Sequence, residues 1–315
     1  MFLGKLSEIS FMRTVNKKIS NKTYGINPGV NVGKADELVV ANCSSVKVFK
    51  DFEKYYFYKT LNKIYEKTTD IWGININIFI NKDFPEKKLG HIVKNINELA
   101  KNNGIDILKM DVSVIEVEDI ILSFTAMGRD EGFSDIENIK PGLDIVMVNS
   151  AGLGMAYILN CVKDDVIRKS FSETFYDECV MLKDMLNVYK IISSIKNKDI
   201  EYVHTVADGG VFSGIWELAS PKKNGVSVDV KKIPVWQHVI EMAELFDINP
   251  YLCDGTGAVL ALTKDGDKLV NDLIDEGFLA SKIGVMMEGH DRVIVNQDEK
   301  RYLEPPREDQ IYKIF

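Results

Sequence analysis

The segment from His204 to Gly210 contains the residues of this chain that are best suited to chemistry. Its paired glycines, Gly209 and Gly210, separate a strand-like run from a helical stretch that continues to Glu217. Because glycine has no Cβ and adopts positive φ, backbone N–H groups at such a turn can converge on an anion at the helix N-terminus. Asp208 can either cap this helix or face a metal ion. The segment therefore predicts a phosphate-binding turn formed by Asp208, Gly209 and Gly210.

Other polar residues have both a structural and a functional interpretation. His204 lies on an apolar strand, where a core or dimer histidine competes with a catalytic one. The run Asp254–Gly257 is typical of a turn, and it is also suited to a ligand-contact loop. Asp111 and Glu116 either pair for acid–base work or lie at a solvated strand edge. The residue pattern leaves these alternatives open.

Hydrophobic periodicity supplies the elements that must position these residues. Strict alternation over Ile74–Ile80 predicts the clearest strand of the first half. The other predicted elements of this half are strands at 38–44, 46–49, 105–108 and 120–127, and helices at 55–68 and 85–103. Helical spacing and stop signals indicate the helices. Their order predicts an α+β sandwich with helices on one face of the sheet.

The second half repeats an α+β pattern. A helical region is expected over 154–195, with interruptions near Asp164 and Ser172. The remaining predicted elements are strands at 144–148, 202–206, 226–230 and 258–262, and helices at 211–219, 235–246 and 266–276. We expect an arm at 1–35, a first domain at 36–139 and a second domain at 140–315, since 315 residues exceed the usual size of one core.

Composition excludes several classes of function. The net charge of −8 opposes a nucleic-acid interface, which concentrates Lys and Arg on one face. No stretch approaches the roughly 20 apolar residues of a membrane span, and the first ten residues lack the apolar region of a secretory signal. The four cysteines are scattered, which favours buried free thiols over a zinc or redox pair. We therefore expect a cytoplasmic protein that binds neither nucleic acid nor membrane.

Eight segments, spread in order over nearly the whole chain, form one collinear set of motifs. They are Gly4–Ser7, Pro141–Val146, Asp208–Gly210, Glu217–Ala219, Ile233–Val235, Asp247–Pro250, Gly255–Gly257 and Tyr302–Pro306. Taken together, they resemble the AIR synthase-related superfamily, which includes thiamine monophosphate kinase, selenophosphate synthetase and the hydrogenase maturation carbamoyl dehydratase. Within this superfamily, the chain is most similar to the group called hydrogenase maturation factor or AIR synthase-related protein.

The resemblance implies a two-domain PurM-like fold of the α+β class. Its N-terminal mixed sheet, with helices on one face, joins that of a second copy in a dimeric barrel, and an α+β C-terminal domain follows. Active members bind ATP and Mg²⁺ between the domains, beneath a glycine-rich N-terminal arm. The candidate nucleotide or phosphate contacts are Lys5, Gly29, Gly33, Lys34, Asp36, Asn62, Lys63, Asp111, Gly152, Gly154, Asp208, Gly209 and Gly210, with Asp36 and Asp208 as candidate metal ligands.

The chain departs from the family where carboxylates would hold the metal. Lys34 or Ala35 stands at an expected aspartate of the arm, and Lys63 replaces the aspartate of an Asn-Asp-Ile-Ala segment. Thr205 replaces the aspartate that usually follows the histidine. A pair of glycines that approaches phosphate is also lost, since Lys109–Ser113 aligns with that segment. Because lysine repels Mg²⁺, the chain is expected to have lost or altered ATP–Mg chemistry, and it may bind neither ATP nor Mg²⁺.

Three functional hypotheses follow. The first is a homodimer that binds a small anionic ligand, a nucleotide or a partner protein. The second is an active ATP-dependent enzyme of the ligase or kinase type, with a site rearranged around Asp36, Asp111, Asp208 and Glu217. The third is a regulatory or assembly protein with a partner in metalloenzyme maturation. The carbamoyl dehydratase branch uses a C-terminal cysteine, whereas this sequence ends in Phe315, so we expect that chemistry to be absent.

Overall fold

The computed structural model describes residue 3 and residues 5–19, 29–297 and 299–315. Gly4, which opens the first family-like segment, lies outside the described residues. The described chain forms two β-sheets with packed helices, which confirms the predicted α+β class.

The first sheet has five strands in the order β1-β2-β5-β3-β4. Strands β3 and β4 are parallel, and the other neighbours are antiparallel. The mixed sheet expected for the N-terminal half is therefore present. The strands are β1 (Gly33–Ala35), β2 (Leu38–Ser44), β3 (Ile71–Ile80), β4 (Ile107–Val114) and β5 (Ile121–Arg129).

Two helices cover one face of this sheet, α2 (Phe52–Tyr65) and α3 (Glu86–Asn102). Side chains alternate across a strand, so Ile74, Ile76 and Ile78 are buried while the asparagines between them are only half-buried. Phe57 of α2 packs on this apolar face. Its ring makes an edge-to-face contact with Phe124 of β5, with ring centroids 6.1 Å apart. A short preceding helix, α1 (Glu8–Thr14), buries none of its own residues.

The second sheet has seven strands in the order β12-β11-β8-β10-β6-β9-β7. Helices pack on both of its faces, because Ile145 and Met147 of β6 join one apolar cluster while Val146 and Val148 join the other. The strands are β6 (Asp144–Val148), β7 (Tyr202–Thr205), β8 (Gly225–Asp229), β9 (Val259–Thr263), β10 (Ala280–Met287), β11 (Arg292–Asn296) and β12 (Glu299–Tyr302).

Seven helices accompany the second sheet. They are α4 (Leu153–Val162), α5 (Asp164–Ser170), α6 (Glu173–Met181), α7 (Tyr189–Ile195), α8 (Gly210–Ala219), α9 (Gln237–Leu245) and α10 (Gly266–Asp275). The expected breaks near Asp164 and Ser172 are present. None of the described helices has the length and apolar character that a bilayer crossing requires.

The predicted strand at 46–49 is wrong. The backbone N–H groups of Val46 and Lys47 donate to the hydroxyl of Tyr56, at 2.9 and 3.1 Å, instead of to a neighbouring strand. The strand expected at 105–108 begins later and is longer, at Ile107–Val114. Helix α1 and strands β1, β10, β11 and β12 were not predicted from the sequence.

Phe57 tests the packing of α2 on the first sheet. Replacing this fully buried ring by Ala should lower the free energy of unfolding by about 3–5 kcal/mol, because a cavity is left behind. Urea unfolding followed by circular dichroism measures the change. The control Tyr302→Ala removes a side chain that is 72% exposed and should change stability little. A loss below about 1 kcal/mol for Phe57→Ala would contradict this packing.

Candidate functional site

The predicted anion-binding turn lies between β7 and α8. Gly209 and Gly210 adopt φ of +74° and +69°, which favours glycine. A Cβ on Gly210 would also lie 2.5 Å from the carbonyl oxygen of Cys253. The N–H of Gly209 donates to Oδ2 of Asp309 at 2.6 Å. A carboxylate of the chain itself therefore occupies the place where an external anion was expected.

An ammonium group lies beside this turn. Lys59 of α2 is buried, and its Nζ is 2.8 Å from Oδ1 of Asp208, 2.8 Å from Oδ2 of Asp254 and 3.0 Å from the Tyr55 hydroxyl. Helix α2 thereby joins the turn before α8 to the loop before β9. Lys59 was not predicted as a site residue, and Asp254 was considered only as part of a turn that is also suited to a ligand-contact loop. Lysine on an amphipathic helix usually lies at the surface, so the sequence carried no signal for Lys59.

The pKa values of these groups reflect their mutual contacts. Burial opposes the charge on Lys59, but Asp208 and Asp254 outweigh burial and hold the pKa of the ammonium well above its ordinary value. Burial would raise the pKa of Asp208, yet the nearby lysines, chiefly Lys59, hold it below its usual range. Burial and then the charge of Asp254 raise the pKa of Asp309 to about 7.

Asp208, Asp254 and Asp309 form the cluster of carboxylates best placed for a metal ion among the described residues. One oxygen of each lies within 4.8 Å of the others, and carboxylate oxygens are preferred ligands of Mg²⁺. The donor set nevertheless does not fit Mg²⁺, because the Lys59 ammonium already contacts two of the three carboxylates. No step of a reaction is therefore assigned to a metal here.

A second network of polar contacts extends from Lys5 into the interior of the protein. Lys5 Nζ is 2.7 Å from Oε1 of Glu217, and Nε2 of His204 is 3.1 Å from Oε2 of the same residue. Oε1 of Glu66 accepts the N–H and the hydroxyl of Thr205, both at 2.7 Å. Glu66, in the segment after α2, thus binds Thr205 at the position where the family resemblance implies an aspartate. Glu66 was another site residue that sequence reasoning missed.

A cavity of about 270 Å³ lies between α1, α8 and the C-terminal segment. Lys5, Gly29, Asp208 and Gly209 line it, so four of the predicted residues meet at one place. Its other walls include Glu8, Phe11, Trp216, Glu217, Arg307, Asp309 and Tyr312. The cavity combines aromatic surface with charged groups, which suits a small polar molecule with an apolar part.

Two further predicted glycines lie at the start of α4. A Cβ on Gly154 would lie 1.8 Å from Oδ1 of Asp254, so glycine is required for the close approach of α4. Gly152 has φ of +70° and precedes the first residue of α4. Gly210 packs against the loop that carries Asp254. Gly154 and Gly210 therefore leave space for the loop of Asp254, and neither they nor Gly152 are among the residues that line the cavity.

The remaining predicted residues lie elsewhere. Asp36, in the β1–β2 turn, and Asp111, on β4, are at opposite edges of the first sheet, about 19 Å apart at ~4.8 Å per strand. Asp111 is exposed and pairs with Lys109. Within one chain these two carboxylates do not join Asp208.

Four other candidates make structural contacts. Gly33 lies in β1, and Lys34 pairs with Asp130. Asn62 is buried and holds the backbone of residues 186 and 188 through its side-chain amide. Lys63 Nζ donates to the carbonyl oxygen of Asn42 at 3.2 Å. None of these contacts involves a carboxylate of the cluster.

Comparison with known proteins places this site in a family. Residues 140–296 match the family described as AIR synthase related protein, C-terminal domain. Over these residues, the second half of the chain belongs to the AIR synthase-related family. The match includes α8, its glycine turn and the loop that carries Asp254, so the main parts of the site lie within it.

A putative hydrogenase expression/formation protein of Methanocaldococcus jannaschii is 25% identical over an alignment of 235 residues, and the match covers 71% of this chain and 66% of that relative. The fold is similar to the crystal structure of HypE from E. coli, with a TM-score of 0.74, 17% identity and 89% of each chain covered. A HypE structure in complex with ATP gives a TM-score of 0.68 at 13% identity, covering 98% of this chain and 94% of that chain. At these identities, the two structural similarities show the fold alone.

Glu217 gives a pH-dependent test of the site. Burial would raise its pKa, but Lys5 and then His204 hold it far below the ordinary value of 4.5. The stabilisation from ionised Glu217 is thus present above pH 4.5 and is lost as the pH falls below this value. At pH 7, the melting temperature of Glu217→Gln should be lower than that of wild type. At pH 3.5, the difference between the two melting temperatures should be smaller.

Thermal unfolding at the two pH values measures both differences. Glu299→Gln is the control, since Glu299 is exposed and pairs with Arg301 at the surface. A gap between wild type and Glu217→Gln that is equal at pH 7 and pH 3.5 would contradict the assigned contacts.

Proposed function

We propose that this protein binds a small anionic ligand or nucleotide in the cavity between α1, α8 and the C-terminal segment, without Mg²⁺-dependent hydrolysis of ATP. The observation that carries the proposal is the position of Lys59, 2.8 Å from both Asp208 and Asp254. A divalent ion held by these carboxylates would have to share them with an ammonium group.

The residues at the expected metal-binding positions support this proposal. Mg²⁺ requires several oxygen ligands in octahedral geometry. Lys63, at one expected aspartate position, contacts a backbone carbonyl. Thr205, at another, donates its hydroxyl hydrogen bond to Glu66. Both changes leave the site without the carboxylates expected from the family, and Lys59 supplies a positive charge in their place.

The cavity retains groups that can bind an anionic ligand. Lys5 is half-exposed at the cavity and Gly209 presents a backbone N–H beside it. An anion at this place would gain a charge-assisted hydrogen bond from Lys5. Because Asp309 already accepts from Gly209, the ligand must either displace that carboxylate or bind next to it.

Calorimetry with pyrophosphate and ATP, each with and without Mg²⁺, tests the function. We expect binding that does not require Mg²⁺, no release of phosphate from ATP, and an affinity at least tenfold lower for Lys5→Met, since one charge-assisted hydrogen bond is worth about 1.5–3 kcal/mol. Lys264→Met is the control, because Lys264 is exposed and pairs with Glu201 on another surface. Tight binding that depends on Mg²⁺, together with turnover, would refute the proposal.

A second candidate is an active ATP-dependent enzyme. The close approach of Asp208, Asp254 and Asp309 favours it, since three carboxylates could hold a cation if Lys59 withdrew. The HypE relative crystallised with ATP is consistent with a nucleotide site on this fold. If this candidate is correct, wild-type protein will release phosphate and Asp208→Asn will abolish the release.

We also propose that the protein is a homodimer, with a partner in metalloenzyme maturation as a further possibility suggested by the hydrogenase-related relative. Strand β4 is an edge strand whose Val112 and Val114 are 46% and 63% exposed. An unpaired edge with apolar side chains is suited to pairing with a second chain. A second copy would complete the barrel that the family resemblance implies.

Light scattering tests the dimer. Wild-type protein should have twice the 35.6 kDa mass of the chain, and the double variant Val112→Lys/Val114→Lys should shift toward monomer because lysines on an edge strand oppose pairing. The control Ile274→Lys changes an exposed residue of α10. A monomeric wild type, or a double variant that remains dimeric, would count against this interface.

A further inference from the structure

The contacts of Lys59 use its full hydrogen-bonding capacity. An ammonium group has three N–H donors, and those of Lys59 reach Asp208, Asp254 and Tyr55 at 2.8, 2.8 and 3.0 Å. Its side chain is only 4% exposed. Lys59 therefore has no donor left for a ligand, and its charge is directed entirely at the carboxylates of the protein.

Two of the three carboxylates are held in place by other parts of the chain. Oδ1 of Asp254 accepts the N–H of Thr256 at 2.9 Å, and Gly154 leaves space for the Asp254 side chain. Asp309 accepts the N–H groups of Gly209 and Ile311 at 2.6 and 2.9 Å. Since these contacts do not involve Lys59, the carboxylates of Asp254 and Asp309 should keep their positions when the ammonium is removed.

Thr256, whose backbone N–H binds Asp254, has a buried hydroxyl without a hydrogen-bond partner among the described residues. Buried polar groups are usually paired, so this hydroxyl is unusual. Carboxylate and hydroxyl oxygens are both ligands suited to a hard cation.

We infer that Lys59 is the resident cation of this site and that it excludes divalent metals from Asp208, Asp254 and Asp309. Lys59 is thus a residue that determines specificity: it makes ligand binding at the adjacent cavity independent of metal. This inference rests on the proposed function, which it deepens. It also assigns to the chain a latent divalent site that one substitution exposes.

Titration with Mn²⁺, followed by the loss of the free-ion signal in electron paramagnetic resonance, tests the inference. Wild-type protein should leave the signal unchanged, whereas Lys59→Met and Lys59→Gln should each bind one Mn²⁺ at least tenfold more tightly than wild type. Lys54→Met is the matched control, since Lys54 lies on the same helix and pairs with surface Asp184. The double variant Lys59→Met/Asp254→Asn should lose the gained binding.

Two results would overturn the inference. The first is wild-type protein that binds Mn²⁺ as tightly as Lys59→Met, which would show that the ammonium does not exclude metal. The second is that both Lys59 variants are folded, as judged by circular dichroism, and still bind no Mn²⁺. If Lys59→Met unfolds without metal, Lys59→Gln keeps a polar side chain and serves as the second test.

Pyrophosphate binding to the wild type, measured in parallel, separates this inference from the proposed function. Pyrophosphate binding without any gain of Mn²⁺ binding by the variants rejects the role of Lys59 alone. Absence of pyrophosphate binding rejects the anion-binding function, whatever the Mn²⁺ result.

Discussion

The ion pairs of Lys59 with Asp208 and Asp254 are the interaction on which the rest of the site depends. They connect a helix of the first half to two loops of the second half; Lys59 and Asp254 are buried, whereas Asp208 also lines the cavity. Breaking a buried pair such as Lys59–Asp254 by removing one partner typically costs about 3–5 kcal/mol, because a charge is left buried and unpaired. In our proposal, the ammonium that joins the two halves of the molecule also determines which ions the site accepts.

Several separate features of the chain agree with this arrangement. Gly154 and Gly210 allow α4 and the turn before α8 to approach the loop of Asp254. The C-terminal segment brings Asp309 to the N–H of Gly209, where a phosphate group was expected. The ammonium of Lys59 contacts the carboxylates that could otherwise bind a metal ion. Side chains of the protein thus supply both the negative charge of a phosphate and the positive charge of a metal. The cavity next to Lys5 has room for a ligand.

Sequence patterns predicted the local parts of this structure better than the long-range ones. The alternation over Ile74–Ile80 and the glycine turn before α8 each depend on neighbouring residues, and the structure confirms both elements. The strand at 46–49 failed because Tyr56, on the following helix, takes the N–H groups of Val46 and Lys47. Asp208 was expected at the site because its motif is local. Lys59, Glu66 and Asp309 were missed because each reaches the site from a distant part of the sequence.

The loss of a metal site was inferred from Lys34 and Lys63, yet both lysines contact other groups, and Lys59 provides the charge instead. The most direct test is a crystal grown with Mn²⁺ and ATP, with data collected at the manganese absorption edge. The account predicts Lys59 Nζ within hydrogen-bonding distance of Asp208 and Asp254, and no anomalous peak between them. A manganese ion bound by these carboxylates, with the Lys59 side chain turned away, would contradict it.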